Sequence, residues 1–437
     1  MEIDKKGKYN IAMRYFTDCH FHVMTLKEPN FASFLNSFYA SPQDIITGNA
    51  AENYILSPKL LRGDTLLNML TNAITTFDRP IGETFCLMED DLSGRFSSPS
   101  KKSYAPAEPF IKDGKLHIRG EEYEKMLMIP LLMDFSQSQK ELDGIYYTYP
   151  AEDKITPYIE ATVEGMRYYY EKRPDGLFEF YPFAGINPVL HSFEFLKDFL
   201  RKYINTAHEY HGFHEIPEKP FYGIKVYPPL GFDPWPNDYE TLRKHRYLYE
   251  FCEDNDIPII THCDDQGFRG VPAKEAWKYT DPASWRTVLE NYPHLKLDLA
   301  HFGRQYAISA DKNIFSLRER MKMMPSSPWF KSAAELMLEF DGVYSDLSFS
   351  GCQDDFYIRL SNYIDALDAE SREKFVSRIL FGSDFSINLL KVESYTEYYS
   401  IISRSILSDE LIRRFSEDNI KSFLVLNEKQ KKSRFIR

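Results

Sequence analysis

The chain has 437 residues, a formal net charge of −12, 43% apolar and 15% aromatic residues, and no Lys/Arg run longer than the KQKKSR segment near its end, which argues against a nucleic-acid footprint and against binding to an anionic membrane surface. No stretch approaches the ~20 apolar residues of a membrane span, and MEIDKKGKYNIAMRYF lacks the apolar run of a secretory signal. The five cysteines, Cys19, Cys86, Cys252, Cys263 and Cys352, have no CxxC spacing, so the expected protein is soluble and cytoplasmic with reduced thiols.

In chain order, a first strand is expected near 11–20, ending in TDCHFHVM. Residues 24–121 follow as a long connection. It holds a helical pattern over 56–77, a Ser-, Pro- and Lys-rich loop over 97–109, and a hairpin over 110–120 turning at Asp113-Gly114. A connection of this length serves as a cap over a site or as a dimerisation arm. From about residue 122, β-rich runs alternate with helical patterns, the signature of a parallel sheet. Strands are expected over 124–135, 176–185, 221–228, 257–263, 295–301, 342–348 and 378–384, and helices over 192–210, 238–255 and 357–378. Asp281-Pro282 and Ser408-Asp409-Glu410 read as helix starts. The leading fold is an α/β protein, a (β/α)8 TIM barrel, with 1–437 as one domain and 24–121 inserted between its first two strands as a cap.

Four histidines and an aspartate punctuate the carboxyl ends of these strands: His20 and His22 in DCHFH, His262 in IPIITHC, His301 in LKLDLAHFG and Asp384 in ILFGSDF. Imidazole and carboxylate suit Zn²⁺ and similar divalent ions, so the set reads as the first shell of a catalytic metal reachable by water. Strict alternation would point Asp18, His20 and His22 to one side, with Asp18 as an orienting or structural carboxylate rather than a ligand. By the same strand-end placement, Tyr227, Asp264, Asp265 and Arg304 are pocket candidates, with Arg304 either clamping a substrate carboxylate or phosphate or pairing with a neighbouring acid. Asp346 is either structural or approaches the pocket. The 33 Phe and 30 Tyr read mainly as core and identify no ligand.

Together DCHFH, GIKVYPPLGFDP, IITHC, WRTVLENYPHLKLDLAHFG, LFGSDF and LSDELIRRFSEDNIKSFLVL, with Asn419, resemble the amidohydrolase superfamily, specifically the amidohydrolase-related family that also contains decarboxylases. Residues 24–121 have no recognised counterpart. The resemblance implies one divalent metal held by His20, His22, His262 and Asp384, with water as nucleophile and with His301 and Asp384 polarising the substrate and taking the proton. Lys225 stands where binuclear relatives carry a carboxylated, metal-bridging lysine; carboxylated, it would bring a second ion and make His301 a ligand, and otherwise it is paired with an acid or faces substrate. The expected activity is hydrolysis of an amide, ester or lactone in a small molecule, carboxylate-bearing if Arg304 clamps it. The alternatives are metal-dependent decarboxylation and a non-catalytic barrel. A homo-oligomer is compatible with the sequence.

Overall fold

The computed structural model describes residues 2–3, 9–10, 13–25, 75–95, 109–136, 153–208, 213–265, 267, 271–305 and 328–424. We number its parallel strands β1 (Tyr15–Phe21), β2 (Lys125–Pro130), β3 (Phe178–Phe180), β4 (Phe183–Gly185), β5 (Gly223–Val226), β6 (Ile259–Thr261), β7 (Leu297–Leu299), β8 (Val343–Asp346) and β9 (Ile379–Leu380). β2 lies between β1 and β3 in one sheet, and β4 to β9 follow in chain order in the other. A bridge between Leu131 and Phe183 links the sheets on one side. On the other side, Cys19 N donates to Phe381 O at 2.9 Å and Asp384 N to His20 O at 2.7 Å, while His22 N reaches Phe385 O.

The expected strands are shorter in the structure, and the run 176–185 divides in two. Tyr181 N still bonds Met128 O, beside β2, whereas Pro182 has no N–H and its carbonyl accepts from Tyr222 N, beside β5. The chain changes neighbour at this proline, which a reading of apolar residues alone does not resolve.

Alternation along the strands separates the core from the site. Ile224, Ile259, Leu297 and Val343 occupy one row of the sheet and join the larger apolar cluster. The next row is Lys225, Ile260, Asp298 and Tyr344. Ile260 and Tyr344 belong to a smaller cluster with Cys19, Leu127, Ile129, Leu380, Phe423 and Leu424. Residues two further along the same face, Tyr227, His262 and Asp346, therefore come together at or just beyond the strand ends.

Helices flank the sheets, and side-chain caps set where several begin: Ser192 accepts from Phe195 N, Asp238 from Thr241 N, Ser394 from Glu397 N and Ser408 from Leu411 N. The helix expected over 357–378 is two helices, Asp354–Ala366 and Ala369–Val376. Asp368 caps the second through Glu370 N and Ser371 N, a side-chain bond that competes with continuous helix.

Of the connection 24–121, the helix expected over 56–77 lies largely outside the described residues, as does most of the loop over 97–109. The described helix, Ile81–Leu92, packs on the helix Ile155–Lys172, with Phe85 4.3 Å from Phe180 between ring centroids. The hairpin is present, with Asp113 and Gly114 at φ 50° and 72°, and a third antiparallel strand, Glu121–Tyr123, leads into β2. The helix Ile81–Leu92 also meets the last part of the chain, where Thr396 N donates to Asp91 Oδ2 at 2.7 Å. Arg119 ties the hairpin to the last helices, donating to the carbonyls of Ser403, Leu407 and Ser405 and to Asp409. Arg119→Ala is expected to lower unfolding stability by about 2 kcal/mol, since it removes charged hydrogen bonds to backbone acceptors. A lowered urea midpoint is the readout, and an unchanged one would show that the clasp contributes nothing.

Candidate metal centre

His20 stands near the end of β1 and His22 one residue beyond it, two positions apart so that both imidazoles reach the same place, and the β1–β2 register shifts between Asp18 and Phe21. The shift also overturns the expected alternation. Asp18 turns away from the imidazoles and accepts from Ser383 N at 2.9 Å and Tyr395 Oη at 2.8 Å. Burial pushes its carboxyl up to about 7 against those hydrogen bonds. The carboxylate that orients His20 is instead Asp346, with Oδ2 2.6 Å from His20 Nδ1.

These contacts decide the tautomers. His22 Nδ1 is 2.8 Å from the carbonyl of Leu131, which can only accept, so Nδ1 carries the proton and Nε2 keeps its lone pair. Asp346 does the same for His20. Burial first, then the Lys225 charge, holds both imidazoles well below the usual histidine range, so they are neutral. Their Nε2 atoms are 3.3 Å apart, and Asp384 Oδ1 lies 3.7 Å from His20 Nε2 and 3.4 Å from His22 Nε2. Ligands about 2.0–2.2 Å from a tetrahedral ion are roughly 3.3–3.6 Å from one another, so the three atoms fit a divalent ion such as zinc. Asp384 has φ 59°, a left-handed conformation uncommon for a residue with a side chain. Gly382, two residues earlier, permits the close approach: a Cβ there would lie 2.7 Å from His20 Cβ.

His262 follows β6 but does not join that trio. Its Nδ1 is 3.2 Å from His301 Nε2 and its Nε2 is 3.2 Å from Asp264 Oδ1, so His262, Asp264 and His301 form a second group able to hold an ion. The groups adjoin, with the His20 and His301 ring centroids 4.8 Å apart. His301 lies in a turn after β7 where His301, Phe302 and Gly303 all have positive φ. Its Nδ1 is 2.8 Å from Ser348 Oγ, which donates to Asp346. His301 Nδ1 therefore carries the proton and Nε2 is the basic nitrogen.

Lys225 Nζ is 3.4 Å from His20 Nε2. Burial brings its ammonium down to about 8 in spite of the nearby Asp346 and Asp384 carboxylates. The Tyr227 ring lies 4.6 Å from that of His262. A side chain on Gly267, at φ 106°, would strike the Tyr227 hydroxyl, its Cβ only 2.2 Å away. Arg304 is brought to the same end of the strands, where it donates to Ser350 O at 3.1 Å and to Gln353 Oε1. Asp265 N donates to Arg304 O at 3.2 Å. Asn419 lies away from the site and caps Val376 and Ile379 carbonyls at 2.8 and 2.7 Å.

Sequence reasoning left out Asp298 and Ser348. Asp298 is fully buried beside Asp346, and burial with that neighbour pushes its carboxyl well above the usual range. Its one signal was an acidic residue between two leucines in LDL. Ser348 carried none, because its role depends on a loop folding back on His301.

Residues 214–425 match the model of the family described as amidohydrolase. No curated protein matches significantly. Solved structures that resemble the chain include 2,6-dihydroxybenzoate decarboxylase from Rhizobium, at 14% identity over 69% of this chain and 84% of that one, TM-score 0.37. An amidohydrolase from Burkholderia multivorans with bound zinc aligns at 11% identity over 95% of this chain and 100% of that one, TM-score 0.42. A structure described as a metal-dependent hydrolase from Lactobacillus casei aligns at 13% identity over 97% of both chains, TM-score 0.42.

Asp346→Asn keeps the shape of the His20 partner but removes its charge. It is expected to weaken zinc affinity about 10- to 100-fold, the usual effect of losing an orienting carboxylate. Competition with a chromogenic chelator reads this out, and wild-type affinity in the variant would remove Asp346 from the site.

Proposed function

We propose that this chain, whose residues 214–425 match the amidohydrolase family model, is a metal-dependent hydrolase acting on an amide, ester or lactone of a small molecule. The observation that carries the reading is the trio of lone-pair atoms, His20 Nε2, His22 Nε2 and Asp384 Oδ1, 3.3–3.7 Å apart. In this proposal 1–437 is one catalytic domain and its strands close as a (β/α)8 barrel, supported by parallel registers and by the hydrogen bonds joining β1 to residues 381–386. Residues 24–121 are proposed to serve as its cap, of which 24–25, 75–95 and 109–121 are among the described residues.

His20, His22 and Asp384 would hold the ion, proposed to be zinc, with His262 as the fourth candidate. Bound there, a divalent ion supplies Lewis acidity, lowering the pKa of water from ~16 toward ~7 and polarising a carbonyl. Asp384 has a second carboxylate oxygen that can accept a proton and deliver it to the leaving group. His301, neutral and proton-free at Nε2, is placed to accept a hydrogen bond or a proton beside it. Burial of all four imidazoles excludes bulk water from these transfers.

In the two-ion variant of the proposal Lys225, with Nζ 3.4 Å from His20 Nε2, would be carboxylated and with His262 and His301 would hold the second ion. Decarboxylation remains the competing chemistry because it uses the same ligands.

The deciding experiment screens zinc-loaded protein against lactones, esters, amides and aromatic acids in ¹⁸O-labelled water, with His20→Ala/His22→Ala as control. Hydrolysis with label in the product, lost in the control, is expected. Release of carbon dioxide from an aromatic acid without label would reassign the chain as a decarboxylase, and activity unchanged in the control would overturn the metal mechanism.

A further inference from the structure

Asp298 is a buried acid that the proposed chemistry leaves unused. It sits in the middle of β7, paired across the sheet with Tyr344, and Asp346 stands two residues further along β8 on the same face. Cys19 of β1 closes the group: one ligand atom from each of Cys19, Asp298 and Asp346 lies within 4.8 Å of the other two, and all three residues are 0% exposed. Among the described residues no donor reaches either carboxylate oxygen of Asp298. Lys225, in the same row two strands away, turns to His20 Nε2 at 3.4 Å instead.

Asp346 is the opposite case. Its Oδ1 accepts from His301 N at 3.1 Å, Ser348 N at 3.0 Å and Ser348 Oγ, while its Oδ2 accepts from His20 Nδ1 at 2.6 Å. An ionised carboxylate offers about four lone-pair sites, so the oxygen with room for a further donor is Oδ2. Two carboxylates side by side in a buried site do not both stay ionised, because neither has solvent to spread its charge. Four donors stabilise the charge on Asp346 and none stabilises a charge on Asp298, so the proton belongs to Asp298. Burial and then the Asp346 charge push the Asp298 carboxyl well above the usual carboxylate range, against the smaller pull of Lys225.

We infer that Asp298 is a positioning residue, a neutral acid whose O–H donates to Asp346 Oδ2 and so fixes the carboxylate that aims His20 Nε2 at the metal. Its effect on the metal rests on the proposed site and deepens it, whereas the proton on Asp298 stands without that site. A second donor on Oδ2 lowers the basicity of Asp346, so the shared proton stays on His20 Nδ1 and the ring remains a neutral ligand. Asp298 acts on the centre only through Asp346 and His20.

The test pairs infrared spectra with zinc titration of the full chain, comparing wild type with Asp298→Asn and Asp298→Leu. At about pH 8 ordinary carboxyl groups are ionised. There the wild-type minus Asp298→Asn difference spectrum of metal-free protein is expected to show the C=O stretch of a protonated carboxyl, shifted in heavy water. Asparagine keeps an N–H donor in place of the acid, so Asp298→Asn should hold zinc within about twofold of wild type, while Asp298→Leu, with no donor, should bind about tenfold more weakly. Absence of the carboxyl band would show Asp298 ionised and overturn the assignment. Equal zinc affinity in all three proteins, or a loss in Asp298→Asn as large as in Asp298→Leu, would remove the positioning role. Where Asp298→Leu does not fold, the band and the affinity of Asp298→Asn still decide. A wild-type chain that takes up no zinc sinks the metal reading, and the infrared comparison on metal-free protein still decides the state of Asp298.

Discussion

Everything at the candidate centre depends on where the protons of buried imidazoles go. The His20, His22 and His301 rings are held neutral by burial, and each has one N–H to place, which unplaced would cost free energy comparable to a lost hydrogen bond. Asp346 takes the proton side of His20 and Leu131 O that of His22, so both lone pairs are left aimed at Asp384. Asp346 is itself fully buried and accepts from His301 N, Ser348 N and Ser348 Oγ besides His20. One carboxylate on β8 therefore couples the loop after β7 to the end of β1.

The same logic explains why irregular backbone gathers at the strand ends. The regular part of each strand buries apolar side chains, and the chemistry begins where regularity stops: at the register shift in β1, at the positive φ of His301 and Asp384, and at Phe349. Residues in left-handed conformation cost of order 1 kcal/mol or more and persist where surrounding bonds fix them. Here Asp384 is fixed by its N–H to His20 O, and His301 by its N–H to Asp346.

Much of the alternation of strands and helices was legible, because apolar runs ending in a polar residue mark a strand leaving a core. His20, His22 and Asp384 were legible for that reason and are brought together. His262 was legible as a strand-end residue, but its grouping with Asp264 and His301 depends on side-chain torsions that spacing does not encode. The direction expected of Asp18 misled, since strict alternation is broken by a register shift that no residue type announces, while its bonds to Ser383 N and Tyr395 Oη agree with a structural carboxylate. The division of 176–185 could have been suspected from Pro182, and the break near Asp368 from its capping side chain. Ser348 was invisible because its place is set by a loop folding back from β8.

The account stands most directly on where a metal sits. Crystals of the zinc-loaded chain, measured on both sides of the zinc absorption edge, should show an anomalous peak within bonding distance of His20 Nε2, His22 Nε2 and Asp384 Oδ1. A peak held only by His262, Asp264 and His301, or no peak at either group, would contradict it.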